Sequence, residues 1–330
     1  MSGLRLFSRR AAIASAAAIG AAMSLVAPAA AAPAPHITGI TEIGPQILQV
    51  DVYSPSMDRV IPNTVLRPRG GGSAPTLYLL NGVRGGTDGI GWLNSSDYED
   101  FFADKNVNVV TPIGGPSSNY TDWRFDDPLL GPAQANQWQT YLTQELPGVI
   151  DAQFHTTGRN AIAGLSMSAG PALDLAIQAP WLYDAVGAYS GCPMNSGIFG
   201  TAQVAGVVAA SGGNAFNMWG PPGDPHWAAH DPYLRAGELR GTAVYLSGAS
   251  GIPGPVDKLP PLMVVGAAVG GGTAVEAIAN ACTATMSQRL NELGVAHTYN
   301  YRDQGAHTWG LFEADLRNSW FTTLGPALNS

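Results

Sequence analysis

The feature that most constrains the fold of this chain is the segment Gly-Leu-Ser-Met-Ser-Ala-Gly at residues 164–170. A short apolar run, Asn160–Ala163, leads directly into it, and residues 167–178 follow with helical spacing. A serine presented on a sharp strand-to-helix turn needs small neighbours, because larger side chains would collide where the backbone reverses. Gly164 supplies a small residue two positions before Ser166. The segment therefore predicts a nucleophile elbow, with Ser166 as the exposed nucleophile.

Two other interpretations of this segment stay open. Ser168 could be the nucleophile, with Ser166 and Gly170 as its small flanks. Strand geometry favours Ser166, because Ser168 would already lie inside the helix. The segment could also be a Gly/Ser-rich turn without chemistry, and the strand–turn–helix context argues against that.

Strand and helix patterns alternate along the chain, as expected for a mainly parallel central sheet with helices on both faces. The strand patterns span Ile47–Tyr53, Thr76–Leu80, Asn108–Pro112, Asn160–Ala163, Ala185–Ser190, Thr242–Leu246 and His297–Tyr301. The helical patterns span Gln137–Gln153, Met167–Gln178, Thr273–Leu293 and Gly310–Leu324. Pro147 predicts a kink or a break in the first of these helices. Together with the elbow, this order predicts an α/β-hydrolase fold in a single domain at residues 33–330.

Residues 1–32 have the pattern of a signal peptide. Met1–Arg10 carries three arginines and no acid, an Ala-rich apolar stretch runs to Val26, and small residues fill positions 29–32. This order predicts export followed by cleavage. A transmembrane anchor is the alternative, but the apolar stretch is short and no second run of about 20 apolar residues follows. We therefore expect a secreted or envelope-associated protein, exported by the general secretory or the twin-arginine route.

The charge of the chain argues against one large class of partners. The formal net charge is -8, and the only lysines are Lys105 and Lys258. An acidic, lysine-poor chain lacks the positive surface that phosphate backbones require, so nucleic acid is not an expected partner. Apolar residues make up 45% of the chain, which favours a packed core over disorder. We expect no metal, no cofactor and no stable protein partner.

A serine nucleophile needs a base and an acid, and in this fold the chain order is serine, acid, histidine. His307 is the favoured base because it lies in a short loop between the last strand pattern and the last helix. The residues alone leave three acids open, namely Asp257, Glu276 and Asp303.

The third requirement is an oxyanion hole, which needs two backbone N–H groups. One should be that of Met167, directly after the nucleophile. The other should come from the glycine-containing loop that begins at Asn81, after the strand pattern Thr76–Leu80.

The two cysteines, Cys192 and Cys282, are predicted to form a disulfide, because an exported chain meets an oxidising compartment. Cys192 follows the strand pattern Ala185–Ser190, and Cys282 lies less than two turns after Glu276 in a predicted helix. The bridge should therefore tie that helix to a loop beside the predicted site. Two buried free thiols are the alternative.

Segments that match one known family follow in the same order along almost the whole length after the signal peptide. They are Leu48–Val50, Ser54–Met57, Leu77–Arg84, Pro112–Gly115, Asp122-Trp123, Thr140–Pro147, Gly164–Met167, Asn217–Pro221 and His307–Trp309. In these segments the chain resembles the secreted mycolyltransferases of the antigen 85 type. The segment Gly187–Ala215 departs from the family pattern.

The resemblance implies an acyl-enzyme mechanism that acts on trehalose esters of mycolic acids. By resemblance, Ser166 is the nucleophile, His307 the base and Glu276 the acid. The oxyanion amides fall on Val83 and Met167.

The resemblance also implies residues that bind the substrate. Arg84 and Trp309 match the trehalose-contacting arginine and tryptophan of the family, and Asn94 matches its asparagine. Asn81 stands at the substrate site where the family usually has an aspartate.

These observations favour a secreted serine acyltransferase that moves mycolyl groups from trehalose esters to cell-envelope acceptors. The acceptor would be a second trehalose ester, the wall arabinan or another envelope hydroxyl. One alternative is a secreted carboxylesterase whose acceptor is water. Another is a non-catalytic carbohydrate- or matrix-binding protein on the same fold, and the presence of all three triad residues argues against it.

Overall fold

Nine strands of the described chain form one mixed sheet in the order β1-β2-β3-β5-β4-β6-β7-β8-β9. The computed structural model describes Met1 and residues 33–260, 263, 266 and 271–329. Residues 2–32 of the predicted signal peptide therefore lie outside the described residues, and that segment stays a prediction. The strands are β1 His36–Gly44, β2 Ile47–Ser54, β3 Arg59–Leu66, β4 Thr76–Leu80, β5 Asn108–Pro112, β6 Asn160–Leu165, β7 Ala185–Tyr189, β8 Ala243–Ala249 and β9 His297–Arg302.

The sheet has an antiparallel part and a parallel part. The pairs β1–β2, β2–β3 and β3–β5 run antiparallel. All remaining pairs, from β5–β4 through to β8–β9, run parallel. The carboxyl ends of the parallel strands meet at one edge of the sheet, where ligands bind in open α/β proteins. The predicted α/β fold with a mainly parallel sheet is confirmed.

Helices cover both faces of the parallel part. Their bounds are α1 Trp92–Ser95, α2 Tyr98–Phe102, α3 Trp138–Thr140, α4 Leu146–Phe154, α5 Ala169–Gln178, α6 Gly197–Ala209, α7 Phe216–Trp219, α8 Pro225–Ala229, α9 Gly272–Glu292, α10 Trp309–Ser319 and α11 Gly325–Leu328. Of the helices that the structure describes, none is long and apolar enough to cross a membrane.

The hydrophobic core is divided by the sheet into two layers. Tyr78 and Leu80 of β4 point into the layer that holds α4, α5 and α9. Leu77 and Leu79 point into the layer that holds α1, α2 and α10. Successive side chains of a strand point to opposite faces, so a strand covered on both faces has to be apolar throughout. All five residues of β4 are buried, and its sequence is therefore almost continuously apolar.

The predicted helix Gln137–Gln153 is interrupted at the place that its proline indicates. A π-helical turn at Tyr141–Glu145 separates α3 from α4, and Pro147 lies in the first turn of α4. Proline lacks an N–H group and its ring collides with the carbonyl four residues earlier, so it fits only where a helix begins.

The strands β1 and β3 and several helices, among them α6, were not predicted from the sequence. Most side chains of β1 are exposed, so this edge strand lacks the apolar alternation that indicates a strand. β3 contains Pro62 and Asn63, which interrupt its pattern. α6 lies in the divergent segment Gly187–Ala215 and has three glycines among its residues.

The predicted disulfide between Cys192 and Cys282 is confirmed. Cys192 lies in the loop after β7, and Cys282 lies on the buried side of α9. The bridge closes a loop of 90 residues and fixes the middle of α9 to the carboxyl edge of the sheet.

Replacing both cysteines by serine should lower the free energy of unfolding by about 2–5 kcal/mol, because the unfolded chain gains the freedom that the bridge removes. Urea unfolding followed by circular dichroism measures this difference. The wild type with its bridge reduced is the control, and it should unfold at the same urea concentration as the double variant. Identical midpoints for the variant and the oxidised wild type would contradict the prediction.

Candidate active site

The turn between β6 and α5 has the geometry of a nucleophile elbow. Ser166 has φ +53°, in the left-handed region that residues other than glycine rarely adopt. A Cβ atom on Gly164 would lie 2.3 Å from the Ser168 carbonyl oxygen, and one on Gly191 would lie 2.5 Å from the Ser166 carbonyl oxygen. The turn therefore closes only because both neighbouring positions lack a side chain. Strain of this kind is typical of functional sites.

Ser168, the alternative nucleophile, is committed to the structure of this turn. Its side chain is fully buried. The Leu165 N–H donates to its Oγ at 2.9 Å, and the same Oγ lies 2.9 Å from the Leu165 carbonyl oxygen, to which it can donate. The hydroxyl thus closes the turn and is not exposed to a substrate.

The structure brings together the three residues that the resemblance implies as a triad. His307 Nε2 lies 2.8 Å from Ser166 Oγ. His307 Nδ1 lies 2.8 Å from Glu276 Oε2. An imidazole held between a hydroxyl and a carboxylate can take a proton from the first while the second fixes its orientation.

The Glu276 carboxylate is fully buried and held from two further directions. Its Oε1 accepts a hydrogen bond from Ser190 Oγ at 2.8 Å and another from the Ala249 N–H at 2.8 Å. Ser190 follows β7 and Ala249 ends β8, so the ends of two parallel strands fix this side chain. Ser190 was missed in the sequence; its position at the carboxyl end of a buried strand was the available signal.

The other two candidate acids lie elsewhere. Asp257 Oδ1 accepts from the Ala306 N–H at 2.9 Å and from Thr308 Oγ1 at 2.6 Å. These two residues flank His307, so Asp257 holds the loop that carries the histidine. Asp303 is exposed. Of the three acids, Glu276 alone is within hydrogen-bonding distance of the imidazole.

Another buried carboxylate, that of Asp315, lies on α10. Burial raises its pKa to about 6, while the charge of Arg302 acts in the opposite direction. Its Oδ1 accepts from Arg302 Nε at 3.0 Å and from Asn300 Nδ2 at 3.1 Å. Both donors are on β9, so Asp315 anchors the strand that leads into the His307 loop.

Two clefts meet at Ser166 and His307. We call the first the helix-lined cleft; it has a volume of about 290 Å³. Its lining comprises Asn119, Ser166, Met167, Pro171, Ser190, Gly191, Cys192, Asn195, Gln203, Gly206, Val207, Val275, Ile278, Ala279 and His307. We call the second the Arg84 cleft; it has a volume of about 200 Å³. Its lining comprises Gly82, Val83, Arg84, Asp88, Ile90, Leu165, Ser166, His307, Trp309 and Phe312.

The two residues predicted to supply the oxyanion-hole amides, Val83 and Met167, both line clefts that meet at Ser166. Val83 lines the Arg84 cleft, and Met167 lines the helix-lined cleft. Among the described residues, no acceptor receives the Val83 N–H. The Met167 N–H is in the first turn of a helix, where N–H groups have no acceptor within the helix. Both groups are therefore available to an oxyanion.

The predicted substrate-binding residues divide into two pairs. Arg84 and Trp309 line the Arg84 cleft, as the resemblance implies. Asn81 is fully buried, and its Oδ1 accepts from the Trp92 N–H at 3.1 Å. Asn94 is exposed and donates to the Gly89 carbonyl at 3.1 Å. Asn81 and Asn94 line neither of the two clefts at Ser166.

Within the described part of the chain, no group of three or more His, Cys, Asp or Glu side chains is arranged to hold a metal ion.

Comparison with known proteins places the chain among esterases and acyltransferases. Residues 54–251 match the family model described as a putative esterase. The chain is 34% identical over 278 residues to the diacylglycerol acyltransferase/mycolyltransferase Ag85A of Mycobacterium tuberculosis (strain ATCC 25618 / H37Rv), covering 81% of this chain and 77% of that protein. It is 30% identical over 311 residues to Ag85C of Mycobacterium avium, covering 91% and 83%. The crystal structure of Mycobacterium tuberculosis MPT51 (FbpC1) superposes with a TM-score of 0.72 at 25% identity, covering 86% of this chain and 100% of that one.

Replacing Ser166 by alanine should abolish covalent labelling by a fluorophosphonate, because this hydroxyl lies beside the imidazole. Ser168→Ala should keep part of the labelling, since its hydroxyl is buried in the turn. In-gel fluorescence after incubation with the probe measures both. Labelling that survives Ser166→Ala and disappears in Ser168→Ala would show that Ser168, and not Ser166, is the nucleophile.

Replacing Glu276 by glutamine should lower kcat by about two to four orders of magnitude, because the imidazolium loses its carboxylate partner. Asp257→Asn should cost much less, since an asparagine oxygen can still accept from the Ala306 N–H. Asp303→Asn is the matched control on the surface and should leave kcat unchanged. Turnover of a p-nitrophenyl ester measures all three, and a Glu276→Gln enzyme with wild-type kcat would exclude Glu276 as the acid.

Proposed function

The chain belongs to the putative-esterase family and is related to the Ag85 diacylglycerol acyltransferase/mycolyltransferases. From this premise we propose that it is a serine acyltransferase. It transfers a mycolyl group from a trehalose ester to a hydroxyl acceptor through an acyl-enzyme. The observation that carries the proposal is the hydrogen-bonded chain Ser166–His307–Glu276, with 2.8 Å at both contacts, where two clefts meet.

In the first half of the reaction, Ser166 Oγ attacks the carbonyl carbon of the ester. Its proton passes to His307 Nε2, while Glu276 holds the Nδ1 side and stabilises the imidazolium. The N–H groups of Val83 and Met167 stabilise the negative oxygen of the tetrahedral intermediate. When the intermediate collapses, the bond to the trehalose oxygen breaks and that oxygen takes the proton from His307.

In the second half, an acceptor hydroxyl attacks the acyl-enzyme. His307 removes the proton of this hydroxyl and the new ester forms. The bond to Ser166 Oγ then breaks, and this oxygen takes the proton back from His307, which regenerates the free enzyme. If water enters in place of the acceptor, the same steps release a free acid. The balance between transferase and esterase therefore depends on how well the acceptor excludes water.

The two clefts differ in a way that suits the two parts of such a substrate. Val275 and Ile278 of α9 and Val207 of α6 give the helix-lined cleft apolar walls, which suit an acyl chain. The Arg84 cleft offers a guanidinium and the Trp309 indole, which suit a sugar. Among the described residues, the exposed Arg84 side chain has no ion-pair partner that it would have to leave. A guanidinium donates to hydroxyls, and an indole face packs on a sugar ring.

The proposed setting of this reaction is the cell envelope. Residues 1–32 act as a signal peptide and residues 33–330 form the exported catalytic domain. Hydroxyl acceptors there include a second trehalose ester and the wall arabinan. The main alternative is a carboxylesterase, which the description of the matching family model supports.

Incubation of the purified enzyme with trehalose monomycolate tests the proposal. A transferase releases trehalose and forms the dimycolate. An esterase releases trehalose and free acid in equal amounts. A non-catalytic binder releases no trehalose and forms no dimycolate or free acid. The Ser166→Ala variant is the control without catalysis. If free acid forms without any dimycolate at every concentration of trehalose ester, the enzyme is an esterase and the transferase proposal is wrong.

Replacing Arg84 by alanine should lower kcat/KM for the trehalose ester by about ten- to a hundredfold, because hydrogen bonds from a charged group to the sugar are lost. Turnover of a p-nitrophenyl ester, which carries no sugar, should change little. Arg69→Ala is the matched control, since Arg69 is exposed and lines neither cleft. Equal losses on both esters would show that Arg84 serves the structure and not the sugar.

A further inference from the structure

The loop at residues 82–91 carries two groups that the proposed reaction needs. Val83 supplies one of the two predicted oxyanion donors, and Arg84 gives the Arg84 cleft its guanidinium. Loops on a protein surface move more than the strands and helices that they connect, so a donor on a loop has to be held in place. The contacts that hold this loop converge on the side chain of Asn81.

Asn81 ties the end of the loop to its start. Its side chain is fully buried, and its Oδ1 accepts from the Trp92 N–H at 3.1 Å. Trp92 begins α1, where an N–H group has no acceptor within the helix. The indole Nε1 of the same tryptophan donates to the Leu80 carbonyl at 2.9 Å. Residues 82–91 therefore form a compact loop whose two ends are joined, a kind of loop that often carries function.

The loop also wraps around the Asn81 amide. A Cβ atom on Gly86 would lie 2.7 Å from Asn81 Nδ2, and one on Gly91 would lie 2.7 Å from Asn81 Oδ1. Asn81 Nδ2 lies 3.4 Å from the Pro112 carbonyl oxygen, which can only accept a hydrogen bond. Both ends of the amide thus face the protein, and the two glycines leave just enough room for it. An amide enclosed in this way is placed to hold the loop and not to bind a sugar.

The backbone of the turn after β5 fixes the loop from a second side. The Ser117 N–H donates to the Val83 carbonyl at 2.7 Å, and the Gly114 N–H donates to the Gly85 carbonyl at 2.9 Å. A Cβ atom on Gly85 would lie 2.0 Å from the Gly114 carbonyl oxygen, so the two backbone segments are in direct contact. The carbonyl side of Val83 is therefore anchored.

Gly82 brings the loop against the nucleophile elbow. A Cβ atom at this position would lie 3.0 Å from Leu165 Cδ1 and 3.9 Å from Ser166 Cβ. The peptide group that joins Gly82 to Val83 carries the predicted donor N–H. It lies between two fixed points, the Asn81 side chain before it and the Val83 carbonyl after it, and so has little freedom to turn away from Ser166.

We propose that Asn81 is a positioning residue that holds the Val83 N–H at the oxyanion of the reaction. Its amide fixes the loop, the loop places Gly82 against the elbow, and the donor is thereby held beside Ser166. This inference rests on the proposed function only in that a serine attacks an ester, so it applies to a transferase and to an esterase alike. It gives Asn81 a role other than the sugar contact that the resemblance implies.

Replacing Asn81 by alanine should lower kcat by about ten- to a hundredfold, because a displaced oxyanion donor stabilises the transition state less. The loss should be the same for trehalose monomycolate and for p-nitrophenyl butyrate, which carries no sugar. KM should change little for both esters, since the donor acts in the transition state. A residue that only contacts the sugar would affect the trehalose ester alone.

Replacing Gly91 by alanine disturbs the same amide from outside and tests whether the effect passes through Asn81. Gly91 has φ -169°, an extended conformation that alanine also adopts, so the variant should fold. Its methyl group would lie 2.7 Å from Asn81 Oδ1 and should displace the amide, which lowers kcat for both esters by about three- to tenfold. In the Asn81→Ala background the same change should have no further effect, because the atoms that the methyl displaces are gone.

Asn108→Ala is the matched control. Asn108 is another fully buried asparagine, and its Nδ2 donates to the carbonyls of Ala74 at 3.1 Å and Pro75 at 3.3 Å. It begins β5, at the end of the strand away from Pro112. Its replacement should lower the urea midpoint of unfolding and leave kcat unchanged.

Three results for these variants would each overturn the inference while the proposed function stands. They are wild-type kcat in Asn81→Ala, a loss confined to the trehalose ester, and an equal loss of kcat in Asn108→Ala. Additive effects of the changes at Asn81 and Gly91 would also overturn it, and so would wild-type kcat in Gly91→Ala, even where Asn81→Ala does not fold. Turnover of neither ester by the wild type would remove the proposed function and this inference together.

Discussion

The site depends on a tight backbone turn at Ser166 and on the close approach of the loop after β7 to that turn. The left-handed backbone at this serine is possible only because Gly164 and Gly191 have no side chains at the points where the turn closes. Ser168 then bonds back to Leu165 and locks the turn. The strain at one residue is thus offset by packing and hydrogen bonds on either side, and the result is a hydroxyl that stands clear of the sheet beside an imidazole.

The carboxylate of the site reaches His307 through the tertiary structure alone. Glu276 is 31 residues before the histidine in the chain and lies on α9, which packs against β8. Its position is set by Ser190 and Ala249 at the ends of two strands and by the disulfide through Cys282 on the same helix. The disulfide near the middle of α9 therefore restrains the helix that carries Glu276. In this way the bridge helps to hold the carboxylate beside His307.

Local sequence patterns were enough to predict the buried strands and the turn at Ser166. The buried strands β4 and β5 have the predicted bounds, because continuous apolar runs between turn residues leave little choice. The elbow was predicted from the small residue Gly164 and from the strand and helix patterns on either side of Ser166. The choice among Asp257, Glu276 and Asp303 could not be made from the residues, since all three carboxylates precede the histidine and only α9 packing decides which one reaches it. The edge strand β1 was missed because it is exposed and its pattern carries no burial signal.

Asp257, one of the three acids that the residues left open, holds a different part of the site from Glu276. It lies in the loop after β8, where this fold often carries its acid, and it is 3% exposed. Its carboxylate bonds to the backbone of Ala306 and to the hydroxyl of Thr308, on either side of His307. One carboxylate therefore orients the imidazole ring and a second fixes the loop from which the ring projects. Because the two tasks are divided in this way, the loop stays in place whether the ring is neutral or charged. The hold on the loop comes from Asp257 and does not depend on the charge that Glu276 balances.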